Sequence, residues 1–215
     1  MKGLFITFEG TEGSGKTTQI SLLADHLSSS GRTVTLTREP GGTPIGDQVR
    51  KILLDPSNKA LHPRAELLLY AASRAQHLVE RILPALEAGR IVLCDRFSDA
   101  TLAYQGYGRG LDIGTIRSLD QIVTGGMNPH LTVLLDLDVA AGLSRARGRN
   151  SSAGLEHEGR FENEDIAFHD RVRRGYLTLA RQDPERVRVV DAARAPDVVQ
   201  RDIRAIVDEL LARSK

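Results

Sequence analysis

A single cysteine, no apolar run approaching the ~20 residues that span a bilayer, and no excess of either charge leave several function classes without support. Cys94 lies inside the apolar run Ile91-Val92-Leu93-Cys94, so it reads as a small buried residue in a reducing compartment, and a disulfide scaffold is excluded. Lys+Arg number 29 against 28 Asp+Glu, and a net charge of +1 gives no global field for nucleic acid or a membrane surface. The histidines, His26, His62, His77, His130, His157 and His169, show no metal-ligand spacing. Met1-Lys2-Gly3 runs directly into a strand-like segment with no room for a signal peptide, so a cytoplasmic protein is expected. There is neither an internal repeat nor a linker, and 215 residues read as one domain with a sizeable core. Lysine is also scarce, five residues against 24 arginines. Genome composition is a sufficient cause for that bias, so each arginine has to be judged by its position.

What is present begins with Gly10-Thr11-Glu12-Gly13-Ser14-Gly15-Lys16-Thr17, a match to G-x-x-x-x-G-K-[ST]. The β-like run Leu4-Phe5-Ile6-Thr7-Phe8 precedes it, and a segment with helical apolar spacing follows from Thr18. Glycines let successive backbone N–H groups turn inward around phosphate oxygens, and the following helix points its positive dipole end at the same anion. Gly10, Gly13, Ser14, Gly15, Lys16, Thr17 and Thr18 are therefore candidate ATP ligands. Lys16 would reach the β- and γ-phosphates, and the Thr17 hydroxyl would ligate Mg²⁺.

Strand-like runs recur at 4–8, 33–37, 91–94, 131–135 and 187–190. Helical patterns occupy 17–29, 44–54, 64–88, 112–124, 139–147, 165–182 and 196–213. Apolar, β-branched strands alternating with amphipathic helices indicate an α/β fold with a buried parallel sheet. The polar, Gly/Ser-rich stretch from Gly148 to Arg160 breaks this rhythm and reads as a lid, a binding loop or passive disorder. Ligands of such sheets sit beyond the carboxyl ends of the strands. That singles out Asp95, with Asp136 and Asp138 as rivals, for the acid near Mg²⁺. A helix cap is the alternative for each, and Arg96 next to Asp95 favours Asp95.

Several segments together resemble one family, the thymidylate kinases. Phe8-Glu9-Gly10 through Thr18-Gln19 is similar to their opening, and Arg38-Glu39-Pro40-Gly41-Gly42-Thr43 to their second signature. Asp95-Arg96-Phe97-Ser98 with Ala103-Tyr104-Gln105-Gly106 is similar to the third. Arg160-Phe161-Glu162, Phe168-His169, Arg171-Val172-Arg173 and Gly175-Tyr176 resemble the lid and the helix after it. The resemblance implies a P-loop nucleoside-monophosphate-kinase fold, a five-stranded parallel sheet wrapped by helices, with a lid near 148–162. It also implies a homodimer and the reaction of ATP with dTMP to give ADP and dTDP with Mg²⁺.

Site residues follow from the same resemblance. Arg96 is similar to the arginine gripping the acceptor phosphate. Arg50 reads as a second clamp or as a solvated helix residue, and Glu39 as a carboxylate orienting the acceptor or metal-bound water or stabilising a turn. No arginine stands in the P-loop, so a catalytic arginine is expected from the lid, with Arg160 ahead of Arg147 and Arg149. Glu12 resembles the acid that hydrogen-bonds the acceptor 3′-hydroxyl. Tyr70 and Arg74, four apart on one helical face, resemble the pair that stacks on and reads a pyrimidine, with Tyr70 where the family usually has Phe. Thr101 and Gln105 resemble readers of the thymine edge, and Tyr104 the residue crowding the sugar 2′ position. Another small P-loop kinase, or a nucleotide switch without a second substrate pocket, are the alternatives.

Overall fold

Five runs rich in Val, Leu, Ile and Thr pair in parallel to form one sheet, in the order β2-β3-β1-β4-β5. They are β1 (Leu4–Glu9), β2 (Val34–Arg38), β3 (Ile91–Asp95), β4 (Leu131–Asp136) and β5 (Val187–Asp191). A computed structural model describes residues 3–148 and 159–213, together with the backbone of 149–153. The register sets Thr7 opposite Cys94 and Phe8 opposite both Asp95 and Val133, so the ends of β1, β3 and β4 lie side by side.

Alternation along β1 sends Ile6 and Phe8 to one face and Phe5, Thr7 and Glu9 to the other. Ile6 and Phe8 join Leu93, Val133 and Leu135 under α1 (Lys16–Ser29) and α9 (Pro196–Arg213), against Leu23, Leu27, Ile203 and Val207. On the opposite face Phe5, Val92 and Cys94 pack on Leu78, Ile82 and Phe97. Further along that face Leu134 and Val187 meet Phe168, Val172 and Tyr176 of α8 (Ile166–Gln182). Each such fully buried large side chain contributes about 1.5–3 kcal/mol. Both faces are therefore covered, as a parallel sheet requires.

Local chemistry sets the helix starts. Thr43 accepts from the Gly46 amide ahead of α2 (Pro44–Leu54), with Pro44 supplying a first residue that needs no donor. Asp165 does the same for α8, taking the Phe168 amide at 2.6 Å. Asp112 caps α6 (Ile113–Thr124) through the Thr115 amide.

The sequence reading needs three corrections. The helix expected over 64–88 is α3 (Pro63–His77), a π-helical turn at Leu78–Ile82, and α4 (Leu83–Glu87). Pro84 has no N–H for the carbonyl one turn earlier, and the helix widens just before it. Residues 98–108, assigned to neither a strand nor a helix, form α5 (Ser98–Thr101) and a second π-helical stretch, Leu102–Gly108, packed on α8. Finally, α7 (Val139–Ala153) continues past Gly148 where a loop was expected. Residues 154–158 of the expected lid lie outside the described residues.

Candidate active site

The strand ends surround the Gly10–Thr17 loop. Gly10 (φ 138°) and Gly13 (φ 69°) hold positive φ where a Cβ would strike the carbonyls of Leu135 and Gly142, so only glycine fits. Lys16 folds back over the loop, its Nζ donating to Gly10 O at 3.1 Å, Thr11 O at 3.0 Å and Ser14 Oγ at 3.3 Å. These partners are all uncharged oxygens. Burial and the nearby Arg96 charge lower the Lys16 pKa to about 8. The Thr17 hydroxyl donates to Asp95 Oδ2 at 3.4 Å, bringing two hard oxygen donors together at the loop's edge. The rival acids are occupied elsewhere. Asp136 is held bidentately by Arg173 at 2.7 and 3.0 Å, and Asp138 caps α7 through the Ala141 amide.

Arg96 is the hub of the site. It has a positive φ (73°) without being glycine, and this backbone turn carries its side chain from the end of β3 toward the P-loop. Its guanidinium donates to Glu12 Oε1 at 3.2 Å and to the hydroxyls of Tyr104 at 3.0 Å and Tyr176 at 3.1 Å, and lies over the Tyr104 ring. Tyr104 itself donates to Glu12 at 2.5 Å. Burial would raise the Glu12 carboxyl, but the His169 and Arg96 contacts outweigh it and hold the pKa at about 2. Beneath them Glu9 is fully buried and accepts from the Tyr176 hydroxyl and the Phe97 amide, both at 2.7 Å. Burial pushes Glu9 up to about 7 despite the opposing Arg96 charge.

The α3 wall carries a second ionic network. Glu39 is buried and takes Arg74 Nε at 2.8 Å and lies 2.9 Å from His77 Nδ1, while His77 Nε2 meets the Thr37 hydroxyl. Arg74 also donates to Thr101 Oγ1 at 3.0 Å and Asp120 at 3.4 Å. Gln105 donates to Glu66 at 2.8 Å. Arg50 donates to the Pro40 carbonyl at 3.1 Å.

Between the P-loop and this wall lies a cavity of about 1310 Å³. Lys16, Thr17, Asp95 and Arg96 line one part of it, and Arg50, Tyr70, Thr101, Tyr104 and Gln105 another, with Glu12 and Glu39 also in its wall. Three expected residues stand apart from that lining: Gly10, whose carbonyl takes the Lys16 ammonium, and two arginines. Arg74 is 3% exposed and lies behind Thr101. Arg160 is buried against Glu66 (2.7 Å), stacks on Phe161 and donates to the Leu53 carbonyl, well engaged at the end of α2 rather than over the P-loop. Arg147 donates to the Glu162 carbonyl at 3.0 Å, and the Arg149 side chain lies outside the described residues.

Sequence reasoning passed over Glu66, His77 and Glu9 as individual residues. Glu9 had a usable signal, an acid ending an apolar strand just before a phosphate loop. Glu66 and His77 sit in a helix of ordinary amphipathic pattern, and their partners are 38 or more positions away.

The comparisons with known proteins agree with this geometry. The thymidylate kinase family model matches residues 8–203. A thymidylate kinase of Syntrophotalea carbinolica is 61% identical over 188 residues, covering 87% of each chain. One of Geotalea uraniireducens is 57% identical over 211 residues, covering 98% of each. The crystal structure of the Ehrlichia chaffeensis thymidylate kinase superposes with a TM-score of 0.79 at 35% identity, covering 96% of this chain and all of that one. A sheet with a phosphate loop on its central strand, an arginine hub beside it and relatives at these identities lead to one conclusion: the chain belongs to the thymidylate kinase family.

Proposed function

We propose that this chain, acting as one kinase domain, transfers the γ-phosphoryl group of ATP to dTMP, giving ADP and dTDP. The observation that carries this reading is one cavity whose wall holds Lys16, Arg96 and Arg50 together, the cations that two phosphate groups meeting there would need. Phosphoryl transfer asks a protein mainly to position two substrates and neutralise charge. The loop Gly10, Gly13, Ser14, Gly15, Lys16, Thr17 and Thr18 holds the ATP phosphates. The Lys16 ammonium meets only uncharged oxygens among the described residues, so a phosphate would be its first anionic partner. Arg96 grips the acceptor phosphate with Arg50 beside it. Glu12, fixed as a carboxylate, accepts from the sugar 3′-hydroxyl, and Tyr104 closes the space beside the sugar. Tyr70 stacks on the thymine while Thr101 and Gln105 meet its edge. Arg74 and Glu39 hold that wall in place, Arg74 through its bond to Thr101.

The cofactor is Mg²⁺. The Thr17 hydroxyl and Asp95 carboxylate suit a hard cation, and no group of three or more metal-binding side chains occurs among the described residues. That scarcity fits an ion that keeps its waters and takes one or two protein oxygens plus substrate phosphates. When bound, it neutralises phosphate charge. Arg160 acts on the transferred group only after exchanging Glu66 for phosphate, because the two are paired here. The protein works as a cytoplasmic homodimer, with Leu68 of α3 and Ile122 of α6, 58% and 80% exposed, among the apolar side chains that a second copy covers. No helix among the described residues is long and apolar enough to cross a membrane.

A coupled assay of ADP formation with dTMP, dUMP, dCMP or AMP, or without acceptor, tests the reading. dTMP is expected to be the best acceptor, and Lys16→Ala to slow turnover by at least ~10²-fold, the scale of one preorganised donor. ADP release independent of an acceptor, or a preference for AMP, would overturn it.

A further inference from the structure

His169 is fully buried on α8, and both of its ring nitrogens face oxygens that accept hydrogen bonds. Nε2 is 3.0 Å from the Phe161 carbonyl, and Nδ1 is 3.1 Å from Glu12 Oε2. Nδ1 and Glu12 Oε2 are in close contact, yet neither atom has a hydrogen-bond partner among the described residues. A neutral imidazole carries one N–H, so it satisfies one of these acceptors and turns a lone pair toward the other. Both contacts are favourable together only when the ring carries two protons or the carboxyl carries one. Glu12 Oε1 already takes the Tyr104 hydroxyl and the Arg96 guanidinium, an environment that favours its ionised form.

We infer that His169 is an imidazolium that bridges the Phe161 carbonyl to Glu12 and so sets the orientation of that carboxylate for the acceptor nucleotide. This rests on the reading of Glu12 as an acceptor contact. Phe161 adjoins Arg160, so the bridge also ties the backbone of the expected lid to the P-loop through one ring. The charged and titratable groups around it are Glu12 of the P-loop, Arg96 after β3, Tyr104 of the π-helical stretch and Tyr176 of α8. Arg96 is the sole cation among these neighbours. Its contact with the same carboxylate leaves Glu12 shared between two positive groups, one on each oxygen. His169 thus acts through Glu12 as a positioning residue and does not itself meet substrate.

The direct test is imidazole ¹⁵N NMR of the full-length protein at pH 7.5, in the wild type and in Glu12→Gln. Two protonated ring nitrogens are expected in the wild type, with Nδ1 losing its proton in Glu12→Gln. A neutral His169 in the wild type would overturn the inference whatever the kinetics. Steady-state assays of His169→Phe, which keeps ring volume, and His169→Gln, which restores one donor, supply the second arm. His169→Phe is expected to raise the dTMP KM by about tenfold, the scale of one charged hydrogen bond, and to spare the ATP KM. His169→Gln should recover part of that loss. An unchanged dTMP KM, or an equal rise for both substrates, would reduce His169 to a packing residue. If Glu12→Gln leaves the dTMP KM alone while the imidazolium signal is present, the reading of Glu12 fails and its positioning by His169 fails with it. A neutral ring with a damaged Glu12→Gln enzyme removes the bridge alone.

Discussion

At the scale of single residues, Glu9 just before the phosphate loop and Glu12 within it are driven in opposite directions by their surroundings. Glu12 meets cations and stays ionised, whereas Glu9 meets mostly burial and rises to about 7. A carboxyl raised in the folded protein binds more protons there than in the unfolded chain between its ordinary value of 4.5 and about 7. Stability from this group therefore falls as pH rises through that window and levels off above it, a loss on the order of 3 kcal/mol. Glu9→Gln keeps an acceptor for the Phe97 amide and offers Tyr176 an amide instead of a carboxylate. Denaturant titrations at pH 5 and pH 8 should show the variant gaining stability relative to wild type at the higher pH. A difference between the two proteins that does not change with pH would contradict this account. Lys16 and Thr17 stood out in the sequence because a phosphate loop follows a strand by strict spacing, and Asp95 because it closes an apolar strand run beside Arg96. The Arg74–Glu39–His77 network did not, because Glu39 follows β2 and meets Arg74 and His77 of α3 only after folding.

Elements bring in a different constraint, the closeness with which α7 approaches the phosphate loop. A Cβ on Gly142 would stand 2.5 Å from the Glu12 carbonyl, a backbone atom that cannot turn aside. Gly142→Ala should therefore push α7 and the loop apart, at about 1–3 kcal/mol of overpacking, and raise the ATP KM. Gly148 lies in the same helix with open space around it, so Gly148→Ala serves as the control and should be neutral or slightly stabilising. Equal melting temperatures for the two variants would refute the close-approach argument. The five strands were legible because buried parallel strands are continuous apolar runs with β-branched residues. The helical path of 98–108 was not. Gly106 and Gly108 lower its intrinsic propensity, and packing against α8 decides its conformation. Gly108 is needed there because Phe168 and Val172 lie within 2.9 Å of where its Cβ would be.

For the whole molecule, the order β2-β3-β1-β4-β5 gathers residues from positions 12 to 199 around one cavity, and that assembly was implied by resemblance rather than by any local pattern. The placement of Arg160 on Glu66 likewise depends on how α2, α3 and the segment after α7 come together. The proposed dimer makes its prediction at this scale. Ile122→Glu puts a charge on the most exposed large apolar side chain of α6. Sedimentation at micromolar concentration should then show a monomer where the wild type sediments as a dimer. A wild-type dimer undisturbed by the substitution would move the interface away from α6.

The backbone of Arg96 reverses an ordinary expectation of protein engineering. Glycine is usually the poorer choice at an ordered position, because it surrenders more chain entropy than alanine. At a φ of 73° the balance inverts, since an alanine keeps the steric penalty that a glycine escapes. Arg96→Ala and Arg96→Gly lose the same guanidinium contacts, so their difference in unfolding free energy isolates the backbone, and the glycine variant should be the more stable by about 1 kcal/mol. An alanine variant at least as stable would contradict a strained turn. A screen that rewards thermal stability alone would prefer glycine over alanine at this position. The arginine at this position thus sits against the conformational preference of the chain, and its guanidinium contacts offset that cost.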